Sequence, residues 1–98
     1  MTLRVVFRRA AKNEFEEAAA WYGERGLGLG DEFIREIEQA IANAASGPQR
    51  CPVVFGDVRR TVARRFPFAV YFRVRADFLV VLAVFHGRRN PVIWQRRV

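Results

Sequence analysis

One histidine and one cysteine are the side chains in this 98-residue chain best suited to proton transfer or nucleophilic attack near neutral pH. His86 has the ordinary titration range of a general acid or base. Cys51 is alone, so the chain has neither an intramolecular disulfide nor a cysteine-built zinc site. It either pairs with His86 as a nucleophile or is a small, half-buried thiol. The carboxylates Glu14, Glu17, Glu24, Glu32, Glu36 and Glu38 are scattered singly at helical spacing, with no His or Cys beside them. They read as the solvated face of helices, and no metal or other cofactor is expected. What the chain holds in quantity is arginine, which accounts for sixteen of its seventeen cations, Lys12 being the other. Its planar fork recognises phosphate and carboxylate, although an arginine-rich genome would give the same bias.

These charges are not evenly spread. Residues 1–49 carry eight carboxylates against six cations, a net of −2, and residues 50–98 carry eleven arginines against Asp57 and Asp77, a net of +9. Such a partition is not needed for folding; it creates a field on one side of the molecule and points to an anionic partner for the second half. Half the residues are hydrophobic, with nine Phe and two Trp, a composition that folds. Residues 1–98 read as one domain. Neither a signal-like apolar run nor a membrane-length stretch occurs, so a cytoplasmic protein is expected.

The elements follow from periodicity. Residues 3–8 form a short Val- and Phe-rich strand. Ala11, Phe15, Ala18, Ala19 and Tyr22 then recur at spacings of three and four, the stripe of an amphipathic helix. Four glycines in residues 23–30 end it. Asp31 stands where a second helix wants a carboxylate or cap, and the stripe Leu29, Phe33, Ile34, Ile37, Ala40, Ile41, Ala44 follows until Ser46-Gly47-Pro48. Two helices so joined make an αα-hairpin. Beyond residue 50 only strands are expected: 53–55, a charged strand 58–65 at an edge or lining an open groove, 68–75 and 78–86. Residues 78–86 are apolar on both parities, as befits a central strand covered on both faces. By parity His86 belongs with Phe78, Val80, Leu82 and Val84, where a hydrogen-bonded structural histidine is the alternative to a catalytic one. Residues 92–98 would close the chain as a short edge strand, and Trp94 either stacks on a base or fills core. The fold class is α+β, in the order β-α-α-β-β-β when 58–65, 68–75 and 78–86 are taken as the strands after the hairpin and 53–55 and 92–98 as short candidates.

Three stretches resemble the RelE/ParE superfamily of toxins from type II toxin–antitoxin pairs: EEAAAWYGERGLGLGDEFIREIEQAIANAASGP, VRRTVARRFPFAVYFRV and VLAVFHGRRNPVIW. The shared features are the aromatic pair Trp21-Tyr22, Gly30 with Phe33, the step Arg65-Phe66-Pro67-Phe68, and His86 with Arg89. The resemblance implies a small, mainly antiparallel sheet with the αα-hairpin packed on one face. The wording is closer to ParE-like members, although Asn90 stands where the family usually has Asp.

ParE-like function implies a toxin that inhibits DNA gyrase and replication and is neutralised in a hetero-oligomer with a cognate antitoxin bearing an acidic C-terminal tail. The alternative is a RelE-like, ribosome-dependent messenger RNA endoribonuclease, which needs a base, an acid and cations for the phosphorane. The sheet half has no Lys and the segment after residue 86 has no Tyr, leaving His86 as the only catalytic candidate. Arg59, Arg60, Arg64, Arg65, His86, Arg88, Arg89, Trp94, Arg96 and Arg97 are the expected target-binding residues. Phe15, Trp21, Tyr22, Phe33 and Ile37 are the expected antitoxin contacts.

Overall fold

The computed structural model describes residues 2–98. A strand β1 (Arg4–Phe7) leads into helices α1 (Arg9–Arg25) and α2 (Leu29–Ser46). Strands β2 (Val53–Phe55), β3 (Val58–Val62), β4 (Phe68–Arg75) and β5 (Phe78–His86) follow, and a short helix α3 (Val92–Gln95) closes the chain. The strands form one sheet in the order β1-β5-β4-β3-β2, with β1 parallel to β5 and every other pairing antiparallel.

The hairpin packs because its apolar stripes meet the same face of the sheet. Phe33, Ile37, Ile41 and Ala44 of α2 and Ala11 of α1 join Val70, Phe72, Leu79, Val81 and Val84 in the main core. Gly30 permits the close approach of the two helices. A Cβ there would lie 2.7 Å from the Ala19 carbonyl and 3.2 Å from the Gly23 Cα. The turn needs Gly28 as well, whose φ of 76° lies in the left-handed region. Helix α2 therefore starts at Leu29, and Asp31 with Glu32 occupies its first turn, where the helix dipole favours acid. At the other end Arg50 donates to the Asn43 carbonyl (2.9 Å) and so satisfies part of the α2 C-terminus.

Phe66 and Phe68, flanking Pro67, face Tyr22 and Phe33 edge-on, with centroids 4.8–6.1 Å apart. The Arg-Phe-Pro-Phe step thus anchors the sheet to the hairpin.

Three sequence expectations change. The segment 58–65 is not an edge: β2 covers β3, and pairing stops at Val62. Residues 92–98 do not form a strand. The Asn90 side-chain oxygen accepts the Val92 amide (3.1 Å), a turn that leads into the helical residues Val92–Gln95. The parity of β5 also breaks. Tyr71 pairs with Ala83 and Phe72 with Val81, so Leu82 is an extra residue, a β-bulge. Leu79 and Val81 face the helices before the bulge, and Val84 does so after it. Val80, Leu82, Ala83 and Phe85 pack on the far face with Val58, Tyr71 and Trp94. The bulge therefore carries His86 to the helix side, away from Val80 and Leu82.

Candidate functional site

Helix α1 presents a second stripe beside its buried one: Glu14, Glu17, Ala18 and Trp21 fall at the spacings of three and four that put side chains on one face. With Tyr22 they form one wall of a cleft of about 380 Å³. The opposite wall is Phe68 of β4, Val84 and His86 of β5, and Arg89 of the loop beyond. Three stretches far apart in sequence thus converge: the Trp21-Tyr22 pair, Phe68 of the Phe-Pro-Phe step, and His86 with Arg89.

His86 is half-buried, with its ring edge-on to Phe68 (5.4 Å). Its Nδ1 accepts the Arg88 backbone amide (3.1 Å), which leaves Nε2 for any other partner. Tyr22 lies in the same cleft, and burial raises its hydroxyl pKa above the usual 10.0. Trp21 is 50% exposed, and the Arg25 guanidinium sits 3.6 Å from its ring centroid.

Glu14 departs from the solvated role expected of it. Strand β1 ends opposite Val81, which leaves the edge of β5 open beyond that point. Glu14 fills the gap: its Oε1 accepts the Val84 amide (3.0 Å) and its Oε2 takes the Arg97 guanidinium at 2.7 Å. Arg97 also donates to Glu14 Oε1 (3.1 Å) and to the Leu82 carbonyl (3.0 Å), so one fork closes the strand edge and ties the C-terminal segment to α1. Arg89 is a second, looser partner of Glu14 Oε2 at 3.3 Å. Helical spacing alone gave no sign of this, because every partner lies at least 70 residues away in sequence.

The arginines divide by partner. Asp57 neutralises Arg73 (2.7 Å) and Arg75 (2.6 Å), and hydrogen bonds from Arg73 and then Arg75 pull its carboxyl down from 3.8 to about 2. Arg59 donates to the Cys51 carbonyl (2.6 Å). Arg65 stands 3.9–4.0 Å from Glu32 and Glu36. Arg60, Arg64, Arg88 and Arg96 are exposed and make no ion pair among the described residues. Arg64 and Arg88 sit on loops at the same end of the sheet, joined where the Gly87 amide donates to the Pro67 carbonyl (2.8 Å).

Several expected contact residues are inside. Phe33 and Ile37 are fully buried, so they support the surface from below and cannot touch a partner directly. Trp94 is 2% exposed, stacked on Tyr71 at 4.2 Å and edge-on to Phe55 at 5.8 Å; it is core. Phe15 is half-buried and stacks on Phe7 at 5.8 Å. No group of three His, Cys, Asp or Glu side chains able to hold a metal occurs among the described residues, and no described helix is long and apolar enough to cross a membrane.

Residues 5–91 match a family model described as ParE toxin of type II toxin-antitoxin system, parDE. The fold is similar to a chain in a solved structure titled chromosomal ParDE TA system from P. aeruginosa, with a TM-score of 0.72 and 17% identity. That similarity covers 87% of this chain and 96% of the other, and at this identity it speaks for the fold alone. No curated protein sequence matches the chain.

Proposed function

From the premise that the chain belongs to the ParE toxin family of type II toxin–antitoxin systems, we propose that it arrests growth by inhibiting DNA gyrase. A cognate antitoxin neutralises it in a hetero-oligomer. The observation that carries the choice of an inhibitor over a nuclease is the isolation of His86. One imidazole nitrogen is committed to the Arg88 amide, and RNA cleavage by 2′-OH attack calls for both a base and an acid. Among the described residues no Lys lines its cleft, the nearby Glu14 is taken up by Arg97 and Arg89, and Glu17 stands on the opposite, α1 wall.

The alternative, a RelE-like messenger RNA endoribonuclease acting on the ribosome, has one point in its favour: Tyr22 shares the cleft with His86. Burial raises that hydroxyl's pKa and keeps it protonated, a donor like the Nε2–H of His86, so the two together lack a base. In the favoured reading the free cations Arg60, Arg64, Arg88 and Arg96 meet the target, with Arg59, Arg65 and Arg89 beside them. Arg97 and Trp94 support that surface from the clasp and the core.

The antitoxin covers the outer side of α1 around Trp21, Tyr22 and Phe15 with an acidic C-terminal tail that folds on binding. Its association slows as salt is added, because the basic half steers the encounter. Gyrase and its DNA place the site of action in the cytoplasm.

The test is induction in cells with DNA and protein synthesis followed in parallel, and supercoiling by gyrase assayed with purified protein. DNA synthesis should stop first and supercoiling should be blocked. His86→Gln should cost only about 1 kcal/mol of stability and leave growth inhibition in place. Messenger RNA cleavage on programmed ribosomes, lowered ~10²–10⁴-fold in His86→Gln, would hand the protein to the nuclease class.

A further inference from the structure

Glu14 has more cation than it needs. Arg97 already takes both of its oxygens, at 2.7 and 3.1 Å, and the Val84 amide takes a third bond. Arg89 is a surplus partner at 3.3 Å, with its side chain 44% exposed. Beside it lies a cleft whose walls are apolar where Ala18, Trp21, Phe68 and Val84 meet. The small Ala18, between the large Tyr22 and Glu14 on one helix face, leaves the room. At about 380 Å³ the space is near the small end of ligand clefts, which run from about 300 to 1,000 Å³. It admits one bulky side chain.

We propose that this cleft seats a single aromatic or leucine side chain of the neutralising partner, followed directly by a carboxylate that takes Arg89 over from Glu14. The proposal rests on the antitoxin reading above and names the chemistry of the contact. Charge sets the direction of the segment. Glu17 stands on the α1 wall and repels a carboxylate there, whereas Arg89 lines the β5 end with Arg88 next to it in sequence, and the His86 Nε2 is left to donate to one. The apolar side chain therefore lies toward Trp21 and the acid toward the loop after β5. Because Arg89 also belongs to the basic sheet end, a segment seated in this way removes a target-facing cation while it binds.

The dipeptide Ac-Phe-Glu-NH2 and its uncharged counterpart Ac-Phe-Gln-NH2 are suitable probes, titrated into the labelled protein and followed by NMR. Both should move signals of Trp21, Phe68, Val84 and His86. The Glu peptide should bind roughly 1.5- to fivefold more tightly, the range of an exposed ion pair. Added salt and Arg89→Gln should each erase that difference while leaving the binding of the Gln peptide unchanged. Ala18→Phe, which fills the cleft, should abolish binding of both, and its own spectrum reports whether it is folded. Equal affinity for the two peptides, shifts confined to another surface, or undiminished binding to a folded Ala18→Phe variant would overturn the proposal. Growth inhibition on induction separates the two levels. A chain that arrests growth without binding the dipeptide loses the cleft alone, whereas one that binds it without arresting growth loses the antitoxin as its occupant.

Discussion

Replacing Glu14 by Gln changes one atom in a side chain that is only 10% exposed, yet it should be among the costlier single substitutions in α1. The amide oxygen can still accept the Val84 amide, which now gives 3.0 Å to Oε1. The amide nitrogen must then stand where Oε2 takes Arg97 at 2.7 Å and Arg89 at 3.3 Å, setting donor against donor. A hydrogen bond to a charged group contributes about 1.5–3 kcal/mol. Arg97 is 23% exposed and regains some water once released, which places the expected loss near the lower end, about 2 kcal/mol. For a domain of this size that lowers Tm by about 10 °C. Arg89→Gln removes only the exposed, longer contact and should cost less than about 0.5 kcal/mol. Urea unfolding followed by circular dichroism measures each value, and a cycle with Arg97→Gln isolates the pair, with an expected coupling of about 1–2 kcal/mol. A Glu14→Gln variant within about 0.5 kcal/mol of the parent, or strictly additive effects with Arg97→Gln, would refute the idea that this carboxylate closes the β5 edge.

Deleting residues 92–98 removes both Trp94 and Arg97, so the truncated chain should fail to fold cooperatively; Trp94→Ala alone should cost about 3–5 kcal/mol in the same urea assay. Gly30→Ala drives a methyl to 2.7 Å from the Ala19 carbonyl and should destabilise by about 1–3 kcal/mol as the hairpin is forced apart. Asp57 gives a pH signature: its folded pKa of about 2 lies below the usual 3.8, so between these values the folded state binds fewer protons and stability rises with pH. That contribution is complete above about pH 4 and disappears as pH falls toward 2, and an Asp57→Asn variant should flatten the acid limb of a Tm-versus-pH curve in this window. Arg64→Ala with Arg88→Ala should leave Tm within about 2 °C of the parent while lowering growth inhibition, because neither side chain holds a partner inside the fold.

Much of this protein is determined locally and can be read from its sequence. The stripes at Ala11–Tyr22 and Leu29–Ala44, the glycines between them and the Ser46-Gly47-Pro48 stop specify the hairpin, because helix formation and termination depend on neighbours three or four residues away. The alternation in 68–75 and the two-sided apolar run of 78–86 likewise specify a hairpin with a central strand. The paired motifs, from Trp21-Tyr22 to His86 and Arg89, indicate the family on their own. The tertiary structure decides what depends on partners distant along the chain. A single bulge at Leu82 reverses the facing of β5 and brings His86 to Trp21, which strict parity forbids. Phe33 and Ile37 look like surface candidates until the sheet covers them. Trp94 becomes core only because α3 folds back over Tyr71. Glu14 has the spacing of a wet helical residue, and its partners Val84, Arg89 and Arg97 reach it only because β1 stops short and leaves a strand edge that must be satisfied. Backbone groups left unpaired by the end of one strand recruit whatever charge the rest of the chain can deliver, and that requirement exists only once the sheet is built.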